Sequence, residues 1–466
     1  MLVPMQKVQR KTIFLLLFLC LPSIWAAETP SEKADALLAG LVETNDPGLA
    51  VLVAQGGKIL FEKGYGLADL EHAVPVIPQT AFRIASITKQ FTASAVLKLQ
   101  EQVKLSIDDK LSKYIPDFPR GDEVTLRQLL THTSGIHNYN DDPEFFDPAT
   151  NDTTEAIIET MKKEPYNFDP GTKWSYDNSG YVLLGYIVEK VSGQGYGDFL
   201  RENFFQPLGM TNTGVYHAQL GLPHEAMGYR LGTNGFERVN WDPSWFGGAG
   251  ALYSTVEDLY RWNEGIFNGR VLDPASLQAA FTPAKMSIYE VANSGAGGGF
   301  GWLVTRHRGL REIMHGGSVP GFRSWLRRVP EEKFTVAILA NSRPGRTNAI
   351  PQELTQQLVD IFLADKLTPL PSVNTNVSPK AYAALTGRYE LGGQIVTISR
   401  RGPHLFVQYA GAPEAEIFPQ SDTQFFLKGG NAQITFVKDE SGNAVKLLYH
   451  DDIGLAPAAL RVHPDS

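Results

Sequence analysis

The chain has 466 residues, 43% of them hydrophobic and 20% charged, with a formal net charge of -8 and a pI of about 5.7. This is a globular composition, long enough for about two or three domains, and it offers no basic surface of the kind nucleic acid requires. The single cysteine, Cys20, falls in the N-terminal apolar segment, so a processed chain has no disulfide, thiolate nucleophile or cysteine-based metal site.

Lys7, Arg10 and Lys11 precede an apolar run from Ile13 to Leu21, followed by Pro22 and the small pair Ala26-Ala27. That order predicts a signal peptide over residues 1–26. The run is too short to span a bilayer comfortably, so no stable membrane span is expected after signal removal. An uncleaved anchor is the alternative. Bulky Phe18 and Leu19 make Cys20 a poor lipid-attachment site. An exported chain without disulfides suits a bacterial periplasm or a secreted location.

Ser31 to Val42 repeats apolar residues at helical spacing and predicts an opening helix. Leu49 to Ala54 predicts a strand, Gln55-Gly56-Gly57-Lys58 a turn, and Ile59 to Tyr65 the returning arm of a hairpin. Pro75 and Pro78 interrupt the chain ahead of Arg83-Ile84-Ala85-Ser86-Ile87-Thr88-Lys89. From Ile87 to Glu101 the residues Phe91, Ala95, Val96 and Leu99 recur at helical spacing, so Ser86 opens a buried helix. Ser86 and Lys89 then share one helix face, one turn apart. A serine hydroxyl is a poor nucleophile until a neighbour takes its proton. A lysine amine can do so when burial or a nearby cation lowers its pKa. Ser-x-x-Lys also arises by chance in chains of this length, as a solvated helix start, but the core helix that follows weakens that reading.

Leu105 to Ile115 and Thr125 to Leu130 predict short helical pieces, with Gly135 as the stop after Thr131-His132-Thr133-Ser134. His132 and His137 have no cysteine or carboxylate at ligand spacing, so they read as loop-shaping residues and no metal site is expected. Phe168 to Trp174 is a turn that delivers Ser175-Tyr176-Asp177-Asn178-Ser179 ahead of an apolar helix, Gly180 to Val191. Tyr176 and Asn178 can face one cavity, the phenol as acid or base and the amide toward a substrate carbonyl and a lysine. A satisfied buried tyrosine beside a helix cap explains them equally well. Pro207-Leu208-Gly209-Met210 closes a helix. Residues 211–245 read as pocket rim or surface, leading to the bend Gly247-Gly248-Ala249-Gly250, and Thr255 caps the next helix. Ser294 to Phe300 is glycine-rich without phosphate-loop spacing.

Gly301 to Thr305, Glu312 to Ser318, Ser324 to Val329 and Lys333 to Asn341 predict an antiparallel meander. His315-Gly316-Gly317 lies on its second strand, where two glycines allow close approach of another backbone or a ligand. Ile350 to Ala364 predicts a closing helix, and Lys366 to Pro379 has linker composition. Seven short alternating strands between Gly387 and Tyr449 then predict a small all-β domain, sandwich or barrel.

Three separately weak signals thus stand in one order: Ser86-x-x-Lys89, Tyr176-x-Asn178 and His315-x-Gly317. In these the chain resembles the serine β-lactamase and penicillin-binding protein superfamily, and more narrowly its class C β-lactamase-related branch of esterases, D-aminopeptidases and DD-carboxypeptidases. Leu129-Leu-Thr-His-Thr-Ser-Gly135, Pro170-Gly-x-x-Trp-x-Tyr-x-Asn178, Pro207-Leu-Gly-Met210 and Gly317-Ser-x-Pro-Gly321 resemble the same branch. The C-terminal part is similar to lipocalin-like modules. The resemblance implies an α+β fold, an antiparallel sheet flanked by helices with a helical subdomain, over residues 27–365. A linker at 366–379 and a lipocalin-like β domain at 380–466 follow.

The resemblance also implies roles. Ser86 attacks a carbonyl and forms an acyl-enzyme, Lys89 and Tyr176 share the proton work, and Asn178 orients Lys89 and the substrate amide. The backbone N–H groups of Ser86 and Ser318 form an oxyanion hole, and His315, Gly316 and Gly317 line the substrate. No cofactor is implied. The third motif departs from the Lys-Thr-Gly usual in β-lactamases: a histidine holds a carboxylate less firmly than lysine, and Gly316 offers no hydroxyl. That favours esters or small peptides and amides, with weak β-lactam hydrolysis at most. A penicillin-recognising sensor that acylates with little turnover is the alternative. A Ser-His-Asp hydrolase lacks its Gly-x-Ser-x-Gly elbow. Partners are a small ester, peptide or β-lactam-like substrate and no nucleic acid; oligomeric state is left open.

Overall fold

The computed structural model describes residues 28–141, 153–217, 220–284, 297–343, 350–391, 394–409, 413–427, 432–450 and 458–462. The expected signal peptide and the start of the glycine-rich stretch at Ser294 lie outside the described residues.

Helix α1 (Pro30–Ala39) begins at a capping box, in which Thr29 and Glu32 each accept the other's backbone N–H. Strands β1 (Leu49–Gln55) and β2 (Lys58–Tyr65) form the expected hairpin, turned by Gly56 and Gly57 at positive φ. The remaining sheet strands come much later: β3 (Gly297–Gly298), β4 (Leu303–His307), β5 (Leu310–Val319), β6 (Phe322–Val329) and β7 (Phe334–Ala340). They assemble in the order β3-β4-β5-β6-β7-β1-β2, antiparallel throughout. Leu49 pairs with Ala340 and Gln55 with Phe334, so the N-terminal hairpin extends the meander.

Both faces are covered at the middle of this sheet, which is why β1 and β7 are mostly apolar rather than alternating. Ala50, Leu52, Leu326, Ala337 and Leu339 face the larger core. Leu49, Val51, Val53, Val336 and Ile338 face a second core shared with α1 and the late helix Pro351–Phe362. Helix α2 (Thr88–Glu101) runs through the larger core and is buried on nearly every side. Several of its polar residues are paired inside. Thr92 Oγ1 donates to the Gly248 carbonyl at 2.6 Å, Leu252 N donates to Thr88 Oγ1 at 3.1 Å, and Trp262 Nε1 donates to Gln90 Oε1 at 3.0 Å.

Two expectations are corrected. Leu105 to Ile115 holds only a 3-10 turn, Leu111–Lys113, and the rest is irregular chain tied by backbone bonds such as Leu111 N to Val124 O at 2.8 Å. Helix α3 (Leu126–Leu130) ends at Thr131, not Gly135. Gly135 serves another purpose: at φ +74 a Cβ there would lie 2.0 Å from the Phe168 carbonyl oxygen, so it admits the neighbouring loop.

Helix α2 terminates in a Schellman-like turn, with Lys104 N bonded to Leu99 O at 3.0 Å. The left-handed position is filled by Val103, at φ +56 and 91% exposed. A β-branched residue is strained there and buries nothing in return. Val103→Gly is expected to stabilise the fold by about 1 kcal/mol, read as a higher midpoint in urea or thermal denaturation; an unchanged or lower midpoint refutes it.

The C-terminal region is a closed barrel of eight strands, β8 (Gly387–Leu391), β9 (Gln394–Arg401), β10 (His404–Tyr409), β11 (Ala415–Pro419), β12 (Gln424–Leu427), β13 (Gln433–Lys438), β14 (Ala444–His450) and β15 (Ala458–Val462). The eighth strand, which the sequence reading omits, closes the barrel by pairing with both β8 and β14. Its own core includes Tyr389, Ile398, Phe425, Ile434 and Phe436.

Candidate active site

The Ser86 hydroxyl is presented by a 3-10 turn, Ala85–Ile87, one step ahead of α2. Ala85 adopts φ +49, a conformation that an alanine takes only when its surroundings impose it. Two anchors do so. Ser324 Oγ on β6 donates to the Ile84 carbonyl at 2.8 Å, and Ile84 N donates to Leu252 O at 2.9 Å. Immediately before the turn, the buried Arg83 guanidinium donates to the Trp241 carbonyl and to the Tyr216 hydroxyl, each at 2.6 Å. It also stacks on the Tyr216 and Phe322 rings. These bonds tie Tyr216 and Trp241 to the turn that carries Ser86.

Lys89 is 0% exposed. Its amine donates to Ser86 Oγ at 3.1 Å, to Asn178 Oδ1 at 2.7 Å and to the Ala249 carbonyl at 2.8 Å. The Ala249 contact depends on glycines. A Cβ on Gly248 would lie 2.5 Å from the Tyr181 carbonyl oxygen, and one on Gly185 2.8 Å from Gly248 N. Only without side chains can the 247–250 bend press against the helix Ser179–Ser192, here α4, and bring Ala249 O to the amine. Burial in this neutral surround disfavours the ammonium and lowers the Lys89 pKa to about 7, against the opposing pull of Asp177.

Tyr176, Asp177 and Asn178 lead into α4. Tyr176 lines the same cavity as Ser86, and its ring lies 5.0 Å from the Lys89 amine. Burial pushes this phenol up, so it stays protonated at neutral pH. The loop is fixed from behind by His132, which adopts φ +58 and is buried. The His132 ring lies 4.6 Å from that of Tyr176 and 5.1 Å from that of Tyr181. Asp177 N donates to His132 Nδ1 at 3.1 Å, which places the ring proton on Nε2. Burial holds His132 neutral, its pKa pushed well down.

Strand β5 supplies the opposite wall. Its pairing with β4 ends at Met314 opposite Leu303, so His315 to Val319 runs on beside Ser86 with that edge free of β4. The cavity there is about 370 Å³ and is lined by Ser86, Tyr176, Asn178, His315, Gly316, Gly317 and Ser318 among others. Gly317 meets the turn that carries Ser86: a Cβ on it would lie 2.2 Å from the Ile84 oxygen. The space at Gly316 is taken differently. A Cβ there would lie 2.1 Å from the Trp325 ring, its cross-strand partner, so the close approach is that of an indole. His315 Nδ1 donates to the Gly316 carbonyl at 2.6 Å, and burial lowers its pKa to about 4, leaving it uncharged at neutral pH.

Comparison with known proteins agrees with this architecture. The pattern of the Beta-lactamase family matches residues 34–359. The chain belongs to that family. Among relatives of this Beta-lactamase family member, "Penicillin-binding protein 4*" of Bacillus subtilis is 29% identical over 86% of this chain and 92% of its own length. "Putative penicillin-binding protein PbpX" of the same organism is 34% identical over 53% of this chain and 62% of its own length. The octameric penicillin-binding protein homologue from Pyrococcus abyssi superposes with a TM-score of 0.63 at 25% identity, covering 92% of this chain and 97% of that one. A D-amino acid amidase from Ochrobactrum anthropi SV3, solved with L-phenylalanine, superposes with a TM-score of 0.60 at 25% identity, over 72% and 97%.

In this Beta-lactamase family member all eight residues singled out from the sequence line the cavity or, as Lys89 does, reach into its wall. The sequence reading missed Arg83, Ser324 and Asp177 as parts of the site. Arg83 was legible as a charged residue inside an apolar stretch, which demands a partner, whereas Asp177 stands among polar turn residues and gave no such signal. Ser324 carried no signal. Among the described residues no group of three or more His, Cys, Asp or Glu is placed to hold a metal, and no helix is long and apolar enough to cross a membrane.

Proposed function

We propose that this protein is a serine hydrolase that passes through an acyl-enzyme on Ser86, with an ester or small amide as substrate. The observation that carries the reading is the Lys89 amine, wholly buried, 3.1 Å from the Ser86 oxygen. With its pKa brought to about 7, the amine is available unprotonated to take the hydroxyl proton as Ser86 attacks. Tyr176, held protonated and facing the cavity beside Ser86, is the donor to the leaving group. Asn178 fixes the amine through its amide oxygen at 2.7 Å. The backbone N–H groups of Ser86 and Ser318 bind the developing oxyanion. Water then releases the acyl group.

The substrate class follows from the β5 wall. A neutral His315 supplies no charge for a carboxylate, and the Trp325 ring fills the space in which a threonine side chain would stand at position 316. Leu303, Val319 and Phe246 make much of the remaining lining apolar, with Asn140 as a polar exception. Esters and amides without a free carboxylate beside the reacting carbonyl fit this pocket best. The amide-cleaving relatives support the amide half of the reading. The N-terminal pattern supports export to a periplasmic or extracellular location.

The test is covalent labelling by a fluorophosphonate probe, followed by intact-mass measurement and peptide mapping. One adduct on Ser86 is expected, and an adduct elsewhere, or none, rejects the reading. The rate has a pH signature. Below a pKa of about 7 the Lys89 amine is protonated and cannot accept the serine proton, so labelling is expected to fall about tenfold per pH unit on the acid side. A rate flat between about pH 5 and pH 9 removes Lys89 as the base.

A further inference from the structure

Asp177 is a buried carboxylate that the mechanism above does not use. Its side chain sits at the start of α4, where Oδ1 accepts from Ser179 N at 2.7 Å and Oδ2 from Gly180 N at 3.1 Å. It therefore caps a helix N-terminus, where the peptide dipoles favour negative charge. It also stands between the two residues that reach toward Lys89, Tyr176 and Asn178. The three hydrogen-bond partners of the Lys89 amine are all neutral: a hydroxyl, an amide oxygen and a backbone carbonyl. A protonated amine with no exposure is costly without a countercharge.

The other titratable groups packed around this pair carry no charge at neutral pH. His132 from the loop after α3 accepts the Asp177 N–H on Nδ1, and His315 from β5 is neutral, both through burial. The phenols of Tyr139, Tyr176 and Tyr181 are pushed up by the same burial. Among these groups Lys89 alone is left to carry positive charge and Asp177 alone negative.

We propose that Asp177 is the buried countercharge of Lys89, a positioning residue that sets the pH at which Ser86 becomes reactive. This rests on the reading of Lys89 as the base. An ionised Asp177 favours the ammonium and so holds Lys89 protonated to a higher pH. Burial raises the carboxyl pKa to about 7, so the two groups exchange protons over the same range and titrate as a coupled pair. No bond forms or breaks in this role.

The experiment is the pH dependence of fluorophosphonate labelling at Ser86 in the full chain carrying Asp177→Asn, Asp177→Ser or Asp177→Glu. Asparagine and serine remove the charge yet can still accept at the helix start, whereas glutamate keeps the charge. The acid limb is expected to move down by about one pH unit in the first two variants, with glutamate holding it near the wild-type position. An acid limb unmoved in Asp177→Asn and Asp177→Ser, whatever happens to thermal stability, reduces Asp177 to a helix cap and overturns the proposal. If those variants do not fold, infrared titration of wild type with 13C-labelled aspartate decides. A buried carboxylic-acid band lost in step with the rise in labelling supports the pair, and a spectrum without it overturns the idea. Failure of the wild-type chain to label at Ser86 would instead reject the serine-hydrolase reading itself.

Discussion

Lys89→Met is expected to lower the rate at which Ser86 is acylated by about 10³–10⁴-fold, near the upper range for loss of a general base. The methionine side chain is about as long as that of lysine and apolar, so it suits a position with 0% exposure. It leaves the Asn178 amide oxygen and the Ala249 carbonyl without their donor, at about 1–3 kcal/mol for each buried acceptor. It also removes the cost of enclosing a charge, which acts in the opposite direction. Fold and melting temperature are thus expected to change far less than the rate. The measurement pairs fluorophosphonate labelling with thermal denaturation of the same sample. Labelling within about tenfold of wild type would show that Lys89 is a packing residue and that another group takes the serine proton.

Gly317→Ala is expected to be the next most damaging single change, through geometry alone. The added Cβ would lie 2.2 Å from the Ile84 carbonyl oxygen, 2.3 Å from Ser324 Oγ and 3.0 Å from the Ala85 Cβ. None of these is a flexible side-chain end. The Ile84 oxygen is backbone, the Ala85 Cβ is fixed rigidly to the turn that carries Ser86, and Ser324 is committed to Ile84 at 2.8 Å. Relief requires β5 to separate from the turn that carries Ser86, and this widens the gap between the two N–H groups assigned to the oxyanion. A misplacement of about 1 Å can cost about 10²-fold in rate, and overpacking costs about 1–3 kcal/mol in stability. Labelling rate and urea denaturation read the two effects separately. A variant that labels like wild type would mean that Ser318 does not take part in the hole.

Spacing in the sequence was enough for several parts of the site. Ser86 and Lys89 share a face because three residues make about one helical turn, and that holds although Ser86 lies on a 3-10 turn just ahead of the helix. Apolar runs located β1 and β7, since strands covered on both faces have no polar side, while tight turns between shorter apolar patches marked β4 to β6. The 105–115 segment misled because apolar residues at helical spacing there are loop residues that reach a core, held by backbone bonds rather than a helix. The eighth barrel strand went unread because Ala458–Val462 opens on two alanines, a residue type that strands disfavour.

The sequence by itself therefore determined which residue types could do the chemistry and in what order they come, because local periodicity is a property of neighbours along the chain. Only the tertiary structure decided the state of those groups. The Lys89 ammonium is disfavoured because helix α2 is enclosed on nearly every side, and enclosure is made by residues remote in sequence such as Ala249 and Asn178. His315 loses its charge, and Trp325 occupies the space at Gly316, for the same reason. Desolvation and close packing depend on what surrounds a group in space, and no spacing along a single chain encodes that directly.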